Sequence, residues 1–262
     1  MKHAFAVIAY RDSSFLASCV SSLRRQTRAD SDIVIATSTP SAHIDTVASD
    51  YGVPVIVNPK RRDIATDWNF ALRATGAPLV TLAHQDDLYR PDYVQRMQDL
   101  HARHQDLLIA FSGFEEHTAS GPRAPHLNLR IKRFLTERIF QSRDTVNTRR
   151  EKRGLLAWGN PVCCPSVVIN RSRLPDFEFT HRMASNLDWE AWSRLAEVEG
   201  AFGYVREALV SKMVHTGSET SATLLNQRRQ LEDREMFERF WPRAMARTIA
   251  ALYRASYLAN RV

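Results

Sequence analysis

Two adjacent aspartates, Asp86 and Asp87, follow the apolar run Leu79 to Ala83 after a His84-Gln85 step. Paired carboxylates at the end of a buried strand can hold a divalent cation, and such a cation can bridge the oxygens of a diphosphate. The same pair also reads as a capped turn before Pro91. Neither G-x-G-x-x-G nor G-x-x-x-x-G-K-[ST] occurs in the 262 residues, so a bound diphosphate would lack the usual glycine-rich cradle. The aspartates are then the alternative means of neutralising it. Cys19 and the adjacent Cys163 and Cys164 supply neither a C-x-x-C zinc pair nor an even disulfide framework. They read as small buried apolar residues in a reducing compartment.

The aspartates need a scaffold, and the hydrophobic pattern describes one. Ala4 to Ala9, Ile33 to Ala36, Val55 to Val57 and Leu79 to Ala83 are apolar on both faces, as parallel strands covered by helices are. Between them lie three helical stripes: Phe15, Leu16, Cys19, Val20 and Leu23; Ile44, Val47, Ala48 and Tyr51, stopped at Gly52; and Ile64, Trp68, Ala71 and Leu72. This β-α-β-α-β-α-β order predicts an α/β fold with a doubly wound, mostly parallel sheet whose ligand sits outside the carboxyl ends of the strands. Those ends are Tyr10-Arg11-Asp12, Thr37-Ser38-Thr39, Asn58-Pro59-Lys60 and His84-Gln85-Asp86-Asp87. Further on, the pattern predicts strands at Leu107 to Phe111 and Val167 to Ile169, a helix over Leu187 to Val198, and a helical tail from Thr223 broken at Pro242.

Hydrophobic residues make up 44% of the chain, enough for one sizeable core, and the formal net charge is +7 with a pI near 9.6. Clustered, that excess would attract phosphates or an anionic membrane. Pro122 to Arg153 is where it clusters, with ten basic residues set against Glu137, Asp144 and Glu151. The stretch reads either as a solvated, mobile excursion or as a surface for an anionic partner. Trp241 to Val262 carries four arginines and no acid beside Met245, Ile249, Leu252, Tyr253 and Leu258. That composition suits a helix lying on an anionic membrane, or one packing its apolar face on the domain. The N-terminal run reads as a strand and not as a signal peptide, and no stretch of about 18 uncharged apolar residues suggests a membrane span.

Several of these segments together resemble family 2 glycosyltransferases of the GT-A fold. The matching segments are Val7 to Tyr10, Leu16 to Gln26, Asn58 to Gly76 with Trp68-Asn69, and His84 to Asp87. Gly159-Asn160, Cys164-Pro165-Ser166, Asp188-Trp189-Glu190-x-Trp192 and His215-x-x-Ser218-x-Thr220 are similar to the second half of one bacterial subgroup. The resemblance implies a catalytic domain over 1–222, with a nucleotide-sugar half to about 113 and an acceptor half beyond it, and a helical appendage over 223–262. It places Tyr10 by the nucleotide base and implies a donor site from Ala9, Tyr10, Arg11, Thr37, Ser38, Asn58, Asn69, His84, Gln85 and Asp86. Asp86, Asp87 and His215 would serve the metal, Mn²⁺ or Mg²⁺. Asp188 aligns with the catalytic carboxylate, and Asn160, Trp189, Glu190 and Trp192 fall on the acceptor side. Two departures stand out: Thr37-Ser38 replaces an acid that reads uracil in some relatives, and His84 replaces the first aspartate of D-x-D-D. A UDP-sugar is therefore an expectation carried by the family.

Inverting sugar transfer needs a base for the acceptor proton and stabilisation of the diphosphate leaving group. Asp188 and the metal at Asp86 and Asp87 divide that work, while Glu190, two residues on, would point elsewhere on a helix. Without the resemblance, Asp188 reads as a helix N-terminal acid favoured by the dipole, His215 as a histidine satisfied in a turn, and Trp189 and Trp192 as core or cleft wall. The sequence thus leads to an inverting glycosyltransferase acting on a saccharide or lipid-linked acceptor in surface polysaccharide or glycolipid synthesis. It would work in the bacterial cytoplasm or at the inner membrane face, in peripheral contact with the membrane. A nucleotidyltransferase on a related sheet is the nearest rival, although Ala9-Tyr10-Arg11 stands where its glycine-rich loop belongs. A nucleic-acid-binding protein is argued by charge alone and is not expected.

Overall fold

The computed structural model describes residues 1–60, 62–215 and 227–258, with side chains to residue 254. Strand β1 (His3–Ala9) lies at the centre of the first half, flanked in parallel by β2 (Asp32–Thr37) and β4 (Leu79–His84), with β3 (Val55–Val57) outside β2. The sheet continues from β4 through β9 (Val167–Asn170), β6 (Leu107–Thr118) and β10 (Ala201–Met213) to β5 (Leu88–Tyr89). Two short strands join its rim: β7 (Gly121–Arg123) on β6 and β8 (Thr145–Val146) on β10. β9 runs antiparallel to β4 and β6 between them, so β6 and β10 point the same way as β1 and their ends open on one edge.

Alternation along the strands feeds two cores. In β1, Phe5, Val7 and Ala9 face one layer and Ala6 the other. The first layer is covered by α1 (Leu16–Arg24), α2 (Ala42–Tyr51) and α4 (Tyr93–Arg103), through Leu16, Val20, Ile44, Val47, Tyr93 and Met97 among others. The second is covered by α3 (Ile64–Arg73), α6 (Arg149–Leu156) and α7 (Leu187–Leu195), with Leu72, Leu156, Trp189 and Trp192 packed inside. Local signals set the ends of these helices. Ser41 accepts from Ile44 N–H, Asp63 accepts from Thr66 N–H at 2.8 Å, and Gly52 closes α2 in the left-handed region at φ 59°.

Three features depart from the sequence pattern. β6 continues seven residues beyond Phe111, where the apolar run ends. β10 escapes the pattern altogether because register shifts between Val205 and Val210 put Arg206 and Glu207 in its middle and disturb the alternation. Gly113 accommodates that irregularity, since a Cβ there would lie 2.7 Å from Arg206 O. The basic stretch, read as a possible mobile excursion, is folded into β7, α5 (Leu127–Phe140), β8 and α6. Thr148 and Glu151 form a reciprocal capping box on α6.

The C-terminal helices α8 (Gln227–Glu238) and α9 (Arg243–Leu258) lie on the second core. Ala246, Ile249, Ala250 and Tyr253, on one helical face, contribute to that core. The apolar face of α9 is therefore packed on the domain, as the second of the two sequence readings has it. Among the described residues no helix is long and apolar enough to cross a membrane.

Candidate active site

The site begins where β4 ends. A turn closed by Asp87 N–H on His84 O at 3.1 Å reverses the chain, and it brings ligand atoms of His84, Asp86 and Asp87 within 4.8 Å of one another. Asp87 is buried and receives Met213 N–H at 3.1 Å from the end of β10. Burial, reinforced by Asp86, pushes its carboxyl well above the ordinary carboxylate range. The His84 ring packs against Trp68 at 5.3 Å between centroids, and its buried Nε2 has no hydrogen-bond partner among the described residues. Burial lowers the His84 pKa to about 4, against the pull of Asp86. A neutral imidazole with an open nitrogen beside two carboxylates is a donor set suited to a divalent cation of Mn²⁺ or Mg²⁺ type. His215 reaches the same place from beyond β10, with Nε2 3.1 Å from Asp86 Oδ2 and its ring 4.9 Å from Phe15. Ser218 and Thr220 of its motif lie outside the described residues.

Gln85 ties this turn to the end of β1. It accepts Tyr10 N–H at 2.9 Å and donates to Tyr10 O at 3.1 Å, the pairing a neighbouring strand would have made. The chain then turns through Arg11 at φ 56°, whose N–H bonds Thr39 Oγ1 at 2.6 Å. Tyr10 remains exposed, with the Arg11 guanidinium 5.0 Å from its ring centre. On the next two strand ends Asp67 is the organiser, a residue that sequence reasoning missed. Its carboxylate accepts Ser38 Oγ–H at 2.9 Å and Asn58 Nδ2–H at 2.8 Å. The available signal was its place in the first turn of α3, four residues after the cap Asp63 and directly before Trp68-Asn69. Thr37 is buried, accepting Thr39 N–H at 3.0 Å, and so supports the loop from beneath.

Across the sheet edge, Asp188 stands in the first turn of α7. Its Oδ2 accepts from Asn160 Nδ2 at 2.8 Å and its Oδ1 from Trp189 N–H at 2.7 Å. Burial raises the carboxyl above its usual range, partly offset by the Trp189 bond and by the charges of Arg229, Lys212 and Lys132. Lys212, also missed from sequence because β10 was, feels the charge of both Asp87 and Asp188. Burial disfavours its charge, but Cys163, Asp87, Glu116 and Asp188 around it outweigh that and raise its pKa. In the register of β10 on β6 it stands opposite Glu116. A buried carboxyl, a carboxylate and imidazole cluster, and an ammonium group in the field of both can together bind a phosphorylated donor and deprotonate a second substrate.

Residues 5–173 match the sequence profile described as glycosyl transferase family 2. The chain belongs to that family. Solved structures similar to this glycosyltransferase agree on the fold. S. aureus TarS 1-349 in complex with UDP-GlcNAc has a TM-score of 0.66 at 12% identity, covering 99% of this chain and 73% of TarS. The mannosyltransferase PcManGT from Pyrobaculum calidifontis, in complex with GDP-Man and Mn²⁺, has 0.65 at 13% identity over 100% and 76% of the two chains. Glucosyl-3-phosphoglycerate synthase from Mycobacterium tuberculosis, in complex with UDP, has 0.59 at 13% over 91% and 79%. No curated protein matches the chain.

Several residues expected at the site of this glycosyltransferase lie elsewhere. Asn69 is buried and clamps the backbone of Phe179, donating to its O at 2.8 Å and accepting its N–H at 2.7 Å. It shapes a loop and offers no atom to a nucleotide. Asn58 is also buried, donating to Asp67 and accepting from Lys60 N–H. Trp189 and Trp192 are core residues with no free face for an acceptor, and Trp189 Nε1 donates to Leu156 O at 3.1 Å. Glu190 is buried under Arg194, Arg239 and Thr180, which correct its expected acceptor role to one of anchoring α7. Helical spacing explains this, because α7 turns only its first-turn face to the cleft. Burial pushes the Cys163 thiol up to about 12 and that of Cys164 well above its usual value, as suits packing residues.

Proposed function

We propose that this glycosyltransferase moves a sugar, with inversion at the anomeric carbon, from a nucleotide-diphosphate donor to a hydroxyl of a saccharide or lipid-linked acceptor. The observation that carries the reading is the grouping of His84, Asp86 and Asp87 at the end of β4, with His215 Nε2 3.1 Å from Asp86. His84, Asp86 and Asp87, with His215 beside them, would hold Mn²⁺ or Mg²⁺, which when bound supplies positive charge at the diphosphate. Tyr10 and Arg11 offer the exposed ring and guanidinium for the nucleotide base, on a loop fixed by Gln85 and Thr39. Lys212 directs its ammonium group at the charge that develops on the leaving diphosphate. Asp188, oriented by Asn160, takes the proton from the acceptor hydroxyl as that oxygen attacks from the face opposite the diphosphate.

The pyrimidine and purine nucleotide-sugars bound to TarS and PcManGT support a nucleotide-sugar donor as a class. UDP-sugars are the first to test, with acceptors of surface polysaccharide or glycolipid synthesis at the cytoplasmic face of the membrane. The experiment is a panel of nucleotide-sugars incubated with Mn²⁺ or Mg²⁺ and then with chelator, following nucleoside diphosphate release, with product anomers assigned by NMR. Metal-dependent release with one donor and an inverted product anomer is expected. Release from no donor, or a product of retained configuration, would overturn the reading.

A further inference from the structure

Helix α5 presents to solvent what an interior helix would bury. Leu127, Ile131 and Phe134 are 70, 47 and 61% exposed, and at spacings of four and three residues they form one stripe on its outer face. The inner face, with Leu129, Thr136 and Phe140, is already used in holding the helix down. Arg130 and Arg138 border the stripe, exposed and without an ion pair among the described residues. The surrounding segment 122–153 carries ten basic residues against three acids. That local excess equals the chain's whole formal net charge of +7, so the rest of the protein is balanced. Its neighbour α9 meets α5 where Lys132 Nζ lies 5.5 Å from the Tyr253 ring, and turns Met245, Leu252, Arg243, Arg247 and Arg254 outward.

We infer that the outer face of α5 is a docking surface for a membrane carrying anionic lipid, with Leu127, Ile131 and Phe134 entering the headgroup boundary and the arginines pairing with phosphates. An exposed apolar stripe edged by arginine is the pattern of a helix lying in that interface. A second copy of the chain would set one unbalanced basic face against another, at a cost in repulsion. A nucleic acid would engage the arginines but leave the three apolar side chains in water. The surface is joined to the site, since His126 caps α5 while its Nε2 lies 3.5 Å from Glu116, the strand partner of Lys212. That a lipid-linked acceptor is thereby delivered to Asp188 rests on the proposed function; the surface itself does not.

Co-sedimentation of the full chain with phosphatidylcholine vesicles, with and without phosphatidylglycerol, tests this. Binding is expected only with the anionic lipid, weakening with salt. Ile131→Ser with Phe134→Ser, and separately Arg130→Glu with Arg138→Glu, should each reduce it by about tenfold or more, given about fivefold per surface cation. Phe134→Trp should shift its emission to the blue on anionic vesicles alone. These positions are exposed and outside the catalytic machinery, so donor hydrolysis in solution should be unchanged in every variant. No vesicle binding, variants that bind like the parent, or apolar variants whose only effect is to dissolve a dimer would each overturn the inference. Failure of donor hydrolysis in the parent would instead count against the proposed function and leave the vesicle result standing.

Discussion

Asn160 holds Asp188: its side-chain amide donates to Oδ2 at 2.8 Å, while Trp189 N–H occupies Oδ1. The two donors stabilise the ionised form of a carboxyl that burial drives the other way. Asp188→Asn keeps the shape but removes the proton acceptor, so transfer should fall by about 10² to 10⁴-fold, the usual worth of a positioned base. Nucleotide affinity, read by calorimetry, should barely change. Near-normal transfer by Asp188→Asn would sink the assignment, and so would a loss of donor binding.

Asn160→Ala separates orientation from chemistry. Without the amide donor, Asp188, whose carboxyl burial already raises, should gain a proton more readily, so the acid limb of kcat/KM should move to higher pH. Transfer measured well above that limb should fall less than in Asp188→Asn. A pH profile unmoved by Asn160→Ala would mean that the amide does not bear on the base.

How much of this was legible beforehand differs between the two halves of the chain. β1, β2 and β4 are buried on both faces and, with the more exposed edge strand β3, read as plain apolar runs, so the strand ends from Tyr10 to Asp87 followed from their order. β10 was hidden because its register shifts carry Arg206 and Glu207 into a long strand, and Lys212 was hidden with it. Asp188 and His215 carried family motifs and bond to Asn160 and Asp86, whereas Trp189, Glu190 and Trp192 share the Asp188 motif yet are buried. A motif fixes which residues recur, but helical periodicity decides which of them reach the cleft. The polar crosslinks by which Asp67 and Asn69 act join residues far apart in sequence and leave no local periodic trace.

The cluster at the end of β4 should be required for donor affinity. Titration of a nucleoside diphosphate with Mn²⁺ should give binding that chelation or Asp87→Asn reduces by at least about tenfold, since hard oxygen donors dominate such sites. His84→Ala should weaken Mn²⁺ binding, read by calorimetry with the metal alone, because a ring nitrogen of His84 lies within 4.8 Å of the ligand oxygens of Asp86 and Asp87. Equal nucleotide affinity with and without metal would refute this.

Asp67 and Asn69 sit two residues apart on α3 and should fail differently. Asp67→Ala releases Ser38 and unpairs one Asn58 amide N–H, so KM for the donor should rise several-fold, with a smaller loss of melting temperature than in Asn69→Ala. Asn69→Ala leaves Phe179 N–H and O unpaired inside the protein, at about 1 to 3 kcal/mol of stability for such a buried group. Its donor KM should stay close to that of the parent. Thermal melts and donor kinetics on both variants distinguish the two roles, and the reverse pattern would show them exchanged.

Acid sensitivity provides the last test, away from the site. His3 is buried between Ser31 and Thr81, and burial with the charge of His101 lowers its pKa from 6.5 to about 3. His101, buried near the N-terminal amine, is lowered to about 4, and its Nε2 has no partner among the described residues. In the unfolded chain both titrate near 6.5, so below that pH the unfolded state takes up protons that the folded state refuses. Stability contributed by these neutral rings is complete above about pH 6.5 and is lost as pH falls toward the folded values. At pH 5 each should have cost about 2 kcal/mol, at 1.36 kcal/mol per unit of separation. Urea unfolding at pH 7 and pH 5 should show this loss. His101→Gln, which cannot titrate, should recover about half of the part due to the pair. If its pH dependence matches that of the parent chain, the buried histidines are not what makes the fold acid-sensitive.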